Sequence, residues 1–311
     1  MLLYKFFAPE RLDVLQNGMI RLTQPTALND PLECRPRNYE LDELPGIEIP
    51  GDPECVRAHV DSVQTHCSQA ERKAVGLLCL TEDPANIAMW AHYAAQHTGF
   101  VLGFDAGHEF FAKRGDGTGL WKVRYSDVRP LRPLEVVLGD LQRQPGPHSF
   151  GLIGLQFPSA PTFNPDTYPD DYRFVKSTCW EYEKEWRLLR TFAQPDRSIE
   201  QGNRMPVHLF HFPPDCLKSV IVGCRNFSSL YPRIREILNS SQSYSHVRVY
   251  MAERHHRAFA LDINPFEPPT DVESPVELNE LPLEAQVAFL LSKGILKSLD
   301  EIENRLDPEE D

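Results

Sequence analysis

The chain has 311 residues, of which 41% are hydrophobic and 25% charged, and its formal net charge is −13. These values are typical of a globular protein, and no apolar run approaches the roughly 20 residues that a membrane-spanning helix needs. The seven cysteines are scattered without a C-x-x-C pair, and the first residues lack a secretory signal. The sequence therefore predicts a cytoplasmic protein with reduced thiols and no membrane association.

The negative charge is concentrated at the C-terminal end of the chain. Residues 262–311 contain 14 acids and three bases, a net of −11, so the rest of the chain carries the remaining −2. A nearly neutral body gives little support to broad nucleic-acid binding, which usually needs a basic face.

For the first half of the chain, the sequence predicts short strands and several helices. A turn is predicted at Asn29-Asp30-Pro31, because proline disfavours the helical region for the residue before it. Helices are predicted from Pro9 to Gly18, over Glu54–Lys73 and over Asn86–Ala95. Strands are predicted over Leu2–Phe7, Met19–Thr23, Ala74–Leu80, Gly99–Phe104 and Leu120–Tyr125.

The second half begins with residues 126–168, which are rich in proline and glycine and favour a long irregular excursion. Helices are predicted over Leu134–Gln142, Asp170–Ser177 and Ser228–Leu238. Strands are predicted over Trp180–Thr191, Val207–Phe212, Leu217–Val222, Val247–Met251 and Ala258–Ile263.

Strands outnumber helices and the helices are not regularly interleaved, which favours an α+β fold. The expected architecture is a mixed or antiparallel sheet with peripheral helices. Residues 1–269 are predicted to form a single domain. Residues 270–311 are predicted to form an acidic linker and two short helices, Leu283–Ser292 and one that starts near Ser298.

The segment Trp180–Arg187 is the main candidate for chemistry. On a strand, side chains alternate between faces, so its carboxylates would form one row and its aromatic rings another. One interpretation is an edge strand with a solvated charged face. The other is a catalytic site, in which one carboxylate stabilises developing positive charge and a second positions a nucleophile. The predicted catalytic residues are Glu181, Glu183 and Glu185, with Arg187 on the same face.

Two further groups could bind a ligand. Trp90, His92 and Tyr93 lie on one predicted helix, where aromatic rings beside a histidine could stack on a planar ring, although Trp90 is better explained as a core residue. Arg21 could hold a phosphate or carboxylate with its planar guanidinium. Asn29 could contribute to that site or simply satisfy its own turn.

Metal binding and common nucleotide motifs find no support in the sequence. His208 and His211 would point to opposite faces of a strand, and His255-His256 lacks further ligands at a suitable spacing. The chain has no Walker loop, no G-x-G-x-x-G and no G-x-S-x-G. We therefore expect no metal cofactor.

Taken in order, several short motifs resemble the bacterial family known as domain of unknown function 2971. They run from about residue 2 to residue 263 and so cover nearly everything except the acidic tail. The motifs are Tyr4-Lys5-Phe6, Gly18-Met-Ile-Arg21-Leu-Thr23, Leu28-Asn29-Asp30-Pro31-Leu-Glu33, Met89-Trp90-Ala-His92-Tyr93-Ala, Gly99-Phe100, Gly103-Phe104, Lys176, Trp180-Glu-Tyr-Glu183-Lys-Glu185-Trp-Arg187 and Val220-Ile-Val-Gly223.

A more distant resemblance is to arginine-directed ADP-ribosyltransferases, through the E-x-E pair Glu183-Lys-Glu185. It implies a split mixed sheet that holds NAD as substrate. Glu185 would contact the ribose 2′-hydroxyl and stabilise the oxocarbenium-like state, and Glu183 would orient the acceptor. Glu181-Tyr-Glu183 is an alternative register of the same motif.

The same resemblance implies how NAD would be bound. Arg21 would hold the pyrophosphate, and Tyr93 or Trp90 would stack on nicotinamide. The opening strand offers Lys5 where the transferases have arginine or histidine, and their Ser-Thr-Ser-type strand motif is absent. The predicted cofactor-binding residues are Lys5, Arg21, Asn29, Trp90, His92, Tyr93 and Arg187.

Three functions follow from these patterns. The first is an NAD-dependent ADP-ribosyltransferase-like enzyme in a bacterial defence or toxin setting, with a protein or nucleic acid as acceptor. The second is a non-catalytic protein-binding module that docks a partner through its acidic tail. The third is a nuclease or other hydrolase that holds a divalent cation with Glu181, Glu183 and Glu185.

Overall fold

The computed structural model describes residues 1–44, 52–143, 171–202, 204–266 and 286. The predicted acidic linker and terminal helices over 270–311 lie outside the described residues, apart from residue 286. No helix among the described residues is long and apolar enough to cross a membrane.

Short 3₁₀ helices and loops connect the regular elements, which account for most of the described chain. The α-helices are α1 (Asp13–Asn17), α2 (Pro53–Ala74), α3 (Ile87–Tyr93), α4 (Leu134–Arg143) and α5 (Phe227–Asn239). The strands are β1 (Leu2–Phe7), β2 (Met19–Leu22), β3 (Val75–Thr81), β4 (Phe100–Asp105), β5 (Gly119–Lys122), β6 (Arg124–Tyr125), β7 (Val175–Lys176), β8 (Glu185–Thr191), β9 (Arg197–Gln201), β10 (Arg204–His211), β11 (Leu217–Val222), β12 (Arg248–Arg254) and β13 (Leu261–Pro265).

The chain divides into two compact units, which we describe separately. Unit 1 comprises residues 1–19, 81–106 and the chain from 212 onward, and unit 2 comprises 20–80 and 107–211. The predicted single domain over 1–269 stays a prediction, because compact contact units do not by themselves define domains.

Unit 1 is built on a mixed sheet with the strand order β13-β12-β11-β4-β1. The pair β11–β12 is parallel, whereas β1–β4, β4–β11 and β12–β13 are antiparallel. Its core includes Phe6, Trp90, Val101 and Ile221, all buried. At Gly103 a side chain is excluded, because a Cβ atom would lie 2.2 Å from Ser219 Oγ of the neighbouring strand.

Unit 2 contains the strand order β3-β8-β5, a separate three-stranded sheet in the order β2-β10-β9, and the parallel pair β6–β7. Helices α2 and α4 pack together through Val56, Val60, Val137 and Leu141. Apolar residues spaced three or four apart bring these side chains onto one face of each helix.

The α+β fold with a mixed sheet is confirmed. The predicted strand Leu2–Phe7 coincides with β1, and the predicted helix Glu54–Lys73 lies within α2. Gly18 ends α1 with a φ of 60°, a left-handed conformation that favours glycine. Local patterns were sufficient at these places because packing and backbone preference point to the same structure.

The predicted strand Trp180–Thr191 is wrong in its first half. Thr178–Glu183 is a 3₁₀ helix, Lys184 is left-handed, and the strand starts only at Glu185. Asp127 accepts hydrogen bonds from the Thr178 backbone N–H (3.2 Å) and hydroxyl (2.6 Å), which holds the start of the turn. Side chains of this kind compete with strand pairing for the backbone donors.

Two other expectations differ from the structure. Asp170–Ser177 was predicted as a helix, but its described part contains the short strand β7, paired in parallel with β6. Leu120–Tyr125 was predicted as one strand, but it splits into β5 and β6, which belong to different sheets. Non-local pairing decides both segments, and short apolar runs do not reveal it.

Candidate functional site

A buried network of charged side chains lies in unit 2. It contains Glu33, Lys176, Glu183, Glu185 and Arg187, and none of them is more than 5% exposed. Charged residues are almost never buried to this extent unless they are paired. This network is therefore the most distinctive chemical feature of the unit.

Three structural elements position four of the five members, and Glu33 comes from the turn that follows Asp30. Glu183 ends the 3₁₀ helix, and the left-handed Lys184 (φ 45°) turns the chain into β8. Glu185 and Arg187 then lie two residues apart on β8 and share its buried face. Lys176 arrives from β7.

The ammonium group of Lys176 joins the carboxylates. Its Nζ atom lies 2.6 Å from Glu183 Oε2 and 3.0 Å from Glu185 Oε2. Glu33 Oε1 lies 3.5 Å from the same nitrogen. The carboxylates of the E-x-E pair therefore converge on one point, and that point is occupied by a cation.

The guanidinium of Arg187 provides the second cation. Its Nε and Nη2 atoms donate to the two oxygens of Glu185 at 2.8 and 3.0 Å. Nη2 also contacts Glu33 Oε1, and Nη1 donates to the Arg173 carbonyl at 2.6 Å. This bidentate geometry is the strongest form of a carboxylate–guanidinium pair.

With every member ionised, three carboxylates and two cations give the network a net charge of −1. Burial raises the pKa of Glu185, and the positive charge of Lys176 opposes that effect. Burial by itself would lower the pKa of Lys176, but the charges of Glu185 and Glu183 raise it above its usual value. Burial lowers the pKa of Arg187 to about 9, so this group remains cationic at neutral pH.

A cavity of about 180 Å³ lies beside the network, and Glu33 and Lys176 form part of its wall. The other charged residues on the wall are Asp30, Asp127, Arg35 and Arg129. Trp180 lies close by, and its Nε1–H donates to Asp30 Oδ2 at 3.1 Å. The centre of its ring lies 4.9 Å from Lys176 Nζ. Cys34 also contributes to the wall, but burial raises the pKa of its thiol, so it is not a thiolate nucleophile.

The interpretation of the charged segment as a solvated edge strand is wrong. Glu185 and Arg187 are buried, whereas Trp186 on the opposite face is partly exposed. Moreover, β8 lies between β3 and β5 and is not an edge. The burial is possible because cations compensate the carboxylates, and strand periodicity reveals neither these cations nor the pairing of β8 with its neighbours.

The other predicted residues of unit 2 lie outside the network contacts given above. Glu181 is exposed on the 3₁₀ helix, and its alternative register with Glu183 does not form a buried pair. Arg21 is half-buried on β2, and Asn29 is exposed in the loop before Asp30.

The remaining predicted residues belong to unit 1. Trp90 is fully buried, donates from Nε1 to the Pro84 carbonyl at 2.7 Å and packs edge-on against Phe6. Its interpretation as a core residue is confirmed. His92 is exposed, and its ring lies 6.3 Å from that of the half-buried Tyr93. Lys5 is half-buried on β1.

Glu33 and Lys176 were not among the predicted site residues, although both occur in the motifs that carry the family resemblance. Lys176 follows only two apolar residues, Phe174 and Val175, after the charged residues Asp171 and Arg173, so its local sequence does not reveal a buried partner. Glu33 follows a turn, and its local sequence does not reveal one either. Among the described residues, no group of three or more histidine, cysteine, aspartate or glutamate side chains is arranged to hold a metal ion.

Comparison with protein families gives a match over part of the chain. Residues 89–188 match the family described as protein of unknown function (DUF2971). The matched segment includes Trp90, His92 and Tyr93, and it also contains Lys176 and the whole of Trp180–Arg187.

No curated protein and no solved structure matches the chain. The resemblance to ADP-ribosyltransferases therefore stays a prediction, whereas the resemblance to domain of unknown function 2971 is confirmed. The similarity to the DUF2971 family covers residues 89–188, which are 100 of the 311 residues of the chain.

Proposed function

We propose that the chain is an ADP-ribosyltransferase-like enzyme that uses NAD as its substrate. The observation that supports this proposal is the convergence of Glu183 and Glu185 on a single cation, 2.6 and 3.0 Å from Lys176 Nζ. A carboxylate placed against developing positive charge stabilises the oxocarbenium-like state through which a glycosidic bond breaks.

In the proposed reaction, the bond between the nicotinamide nitrogen and ribose C1′ breaks, and its electrons leave with nicotinamide. Glu185 stabilises the positive charge that develops on the ribose and accepts a hydrogen bond from its 2′-hydroxyl. Glu183 orients the acceptor, whose nucleophilic atom forms the new bond to C1′ and releases a proton to a base.

The buried position of both carboxylates adds a requirement to this mechanism. The Lys176 ammonium occupies the place where the positive charge of the substrate would develop, so the ribose has to displace it. The neighbouring cavity of about 180 Å³ is too small for a whole dinucleotide, since small-molecule sites usually measure about 300–1,000 Å³. It could admit one ring of the substrate at most.

The test measures nicotinamide release from NAD, together with NAD binding by calorimetry. We expect Glu185→Gln to abolish release while NAD still binds, because the change removes the charge but keeps the shape. Glu181→Gln is the matched control on the exposed side of the segment, and it should release nicotinamide at the wild-type rate.

Three results would contradict the proposal. They are persistent release in Glu185→Gln, equal loss in Glu181→Gln, and absence of both binding and release in the wild-type protein. Equal loss in Glu181→Gln would move the catalytic pair to the alternative Glu181-Tyr-Glu183 register.

A second candidate is a non-catalytic binding module, and the burial of the network favours it. Every network member is at most 5% exposed, and the carboxylates are already paired with Lys176 or Arg187. These contacts can hold the loops of unit 2 together. In that case Glu185→Gln would change stability and not NAD chemistry. Two results together would favour this candidate. The wild-type protein would neither bind nor cleave NAD, and Glu185→Gln would have a different melting temperature from the wild type.

The metal-dependent hydrolase draws no support from these contacts. A divalent cation needs carboxylate oxygens that face a common empty position. Here the oxygens of Glu183 and Glu185 contact Lys176 and Arg187. Glu181, the third carboxylate of that prediction, is exposed.

A further inference from the structure

A second cavity, in unit 1, has a different chemical character. It measures about 610 Å³ and lies at the loop between β12 and β13. Loop residues 255–260 form one wall, and His97, Arg225 and Ile87 contribute to the rest. The volume falls in the range of about 300–1,000 Å³ that small-molecule sites occupy.

The cavity is strongly basic. Arg225, Arg254 and Arg257 line it, all three are exposed, and none of the described lining residues is acidic. Within the described part of the chain, these three guanidiniums form no ion pair. Arginine binds phosphate with two parallel donors, so uncompensated arginines around a cavity favour a phosphate-bearing ligand.

The same cavity presents exposed aromatic rings. Phe259 is 104% exposed at the tip of the loop, so no described residue of unit 1 covers either face of its ring. His255 and His256 stack with their ring centres 5.0 Å apart. Exposed rings of this kind bind flat heterocycles by stacking.

Local hydrogen bonds hold this loop in shape. His255 Nδ1 accepts from the backbone N–H groups of Arg257 (3.1 Å) and Ala258 (3.0 Å). The His255 N–H donates to the Ala260 carbonyl at 3.1 Å, which closes the hairpin. Because Nδ1 is an acceptor, Nε2 carries the ring proton and is a further donor. Burial and the charge of Arg225 lower the pKa of His97, which favours the neutral form of this ring beside the arginines.

We infer that this cavity binds a mononucleotide, with the phosphates on the arginines and the base against the exposed rings. A small ligand is favoured over a nucleic acid because the basic patch is confined to one cavity, and the protein carries a net charge of −13. The inference does not rest on the proposed function, because no residue of the charge network lines this cavity.

The experiment measures ADP binding to the full chain by calorimetry, with adenosine and inorganic phosphate as separate ligands. We expect ADP to bind at least about tenfold more tightly than either component, because it uses both the arginines and the rings. The double variant Arg254→Gln/Arg257→Gln should bind ADP at least about tenfold more weakly. Arg248→Gln, at the far end of β12 and outside the cavity, is the matched control and should bind like the wild type.

Phe259→Ala provides a second variant that cannot disturb folding through lost packing, because the ring is fully exposed. It should weaken ADP binding and leave phosphate binding unchanged. The inference is overturned if the wild-type protein does not bind ADP, or if the double variant binds it as the wild type does. It is also overturned if a single-stranded oligonucleotide binds more tightly than ADP and loses that binding in the double variant, since the site would then be one for nucleic acid.

Discussion

At the scale of single residues, the cost of changing a network member depends on the charge that the change leaves buried. The network carries −1 when fully ionised, so removing a cation leaves −2 among buried side chains. Removing one carboxylate instead leaves the network neutral. Breaking a buried ion pair from one side typically costs about 3–5 kcal/mol.

We predict that Lys176→Met and Arg187→Met each destabilise the protein by about 3–5 kcal/mol, because each leaves three buried carboxylates with a single cation. Urea unfolding measures the change. The exposed Lys73→Met on α2 is the control for the substitution itself and should shift stability by less than about 0.5 kcal/mol. A network variant that unfolds like the control would mean that its carboxylates take up protons or rearrange without cost.

We predict that Glu185→Gln leaves the fold intact and changes its pH dependence. The pKa of Glu185 is raised above 4.5 by burial, so its contribution to stability is present below about pH 4.5 and is lost as the pH rises through the folded-state pKa. The wild type should therefore lose stability relative to Glu185→Gln as the pH increases from about 4 to neutrality. Urea unfolding of both proteins over this range gives the difference.

The opposite pH dependence of this stability difference would reverse the direction of the Glu185 pKa shift. If the wild type gained stability over the variant as pH rises, the cations Lys176 and Arg187 would outweigh burial, and the pKa of Glu185 would be lowered rather than raised. No slope at all would mean that the pKa of Glu185 is the same in the folded and the unfolded chain.

At the scale of elements, the decisive feature is the junction between the 3₁₀ helix Thr178–Glu183 and β8. Lys184 adopts φ 45° and ψ 50°, a left-handed conformation that disfavours β-branched side chains. The turn at this residue determines the directions in which the side chains of Glu183 and Glu185 point. Without the turn, strand alternation would keep both on one continuous row.

We predict that Lys184→Val destabilises the protein by about 1–2 kcal/mol, and that Lys184→Gly is neutral or stabilising by up to about 1 kcal/mol. Thermal and urea unfolding measure both changes. Arg197→Val, at an exposed position of β9, is the control for adding a β-branched residue to an extended segment. If valine and glycine have equal effects at 184, the left-handed conformation does not limit stability.

Prediction from the sequence succeeded for elements whose own residues define them. Strand β1 and helices α2 and α5 have continuous apolar patterns, and Gly18 ends α1 as expected. It failed for β7 and for the segment before β8, where side-chain bonds from Asp127 and pairing with β6 decide the backbone. Those partners are about 50 residues distant along the chain, so no local window contains them.

At the scale of the whole molecule, the net charge is unevenly distributed: the C-terminal tail is strongly acidic, and the rest of the chain is nearly neutral. Residues 262–311 hold −11 of the −13 net charge, and the sequence predicts an amphipathic helix over Leu283–Ser292. Its apolar positions, including Val287, Leu290 and Leu291, need a surface on which to be buried. That surface is either the body of this chain or a partner protein.

We predict that deleting residues 270–311 lowers the melting temperature, because the apolar face of the predicted helix would lose its surface on the body. Calorimetry of the full and shortened chains measures the shift. An unchanged melting temperature would contradict this prediction and favour the tail as an arm that docks a partner.

The sequence by itself determined the fold class, the positions of most strands and helices, and the segment in which the charged residues gather. These features depend on local periodicity, turn residues and composition, which the chain carries in any conformation. Only the tertiary structure decided that Glu183 and Glu185 are buried, that Lys176 joins them, and that Glu33 and Arg187 complete the network. The reason is that the energy of a buried charge depends on cations brought from distant parts of the chain, and these partners become neighbours only when the chain folds.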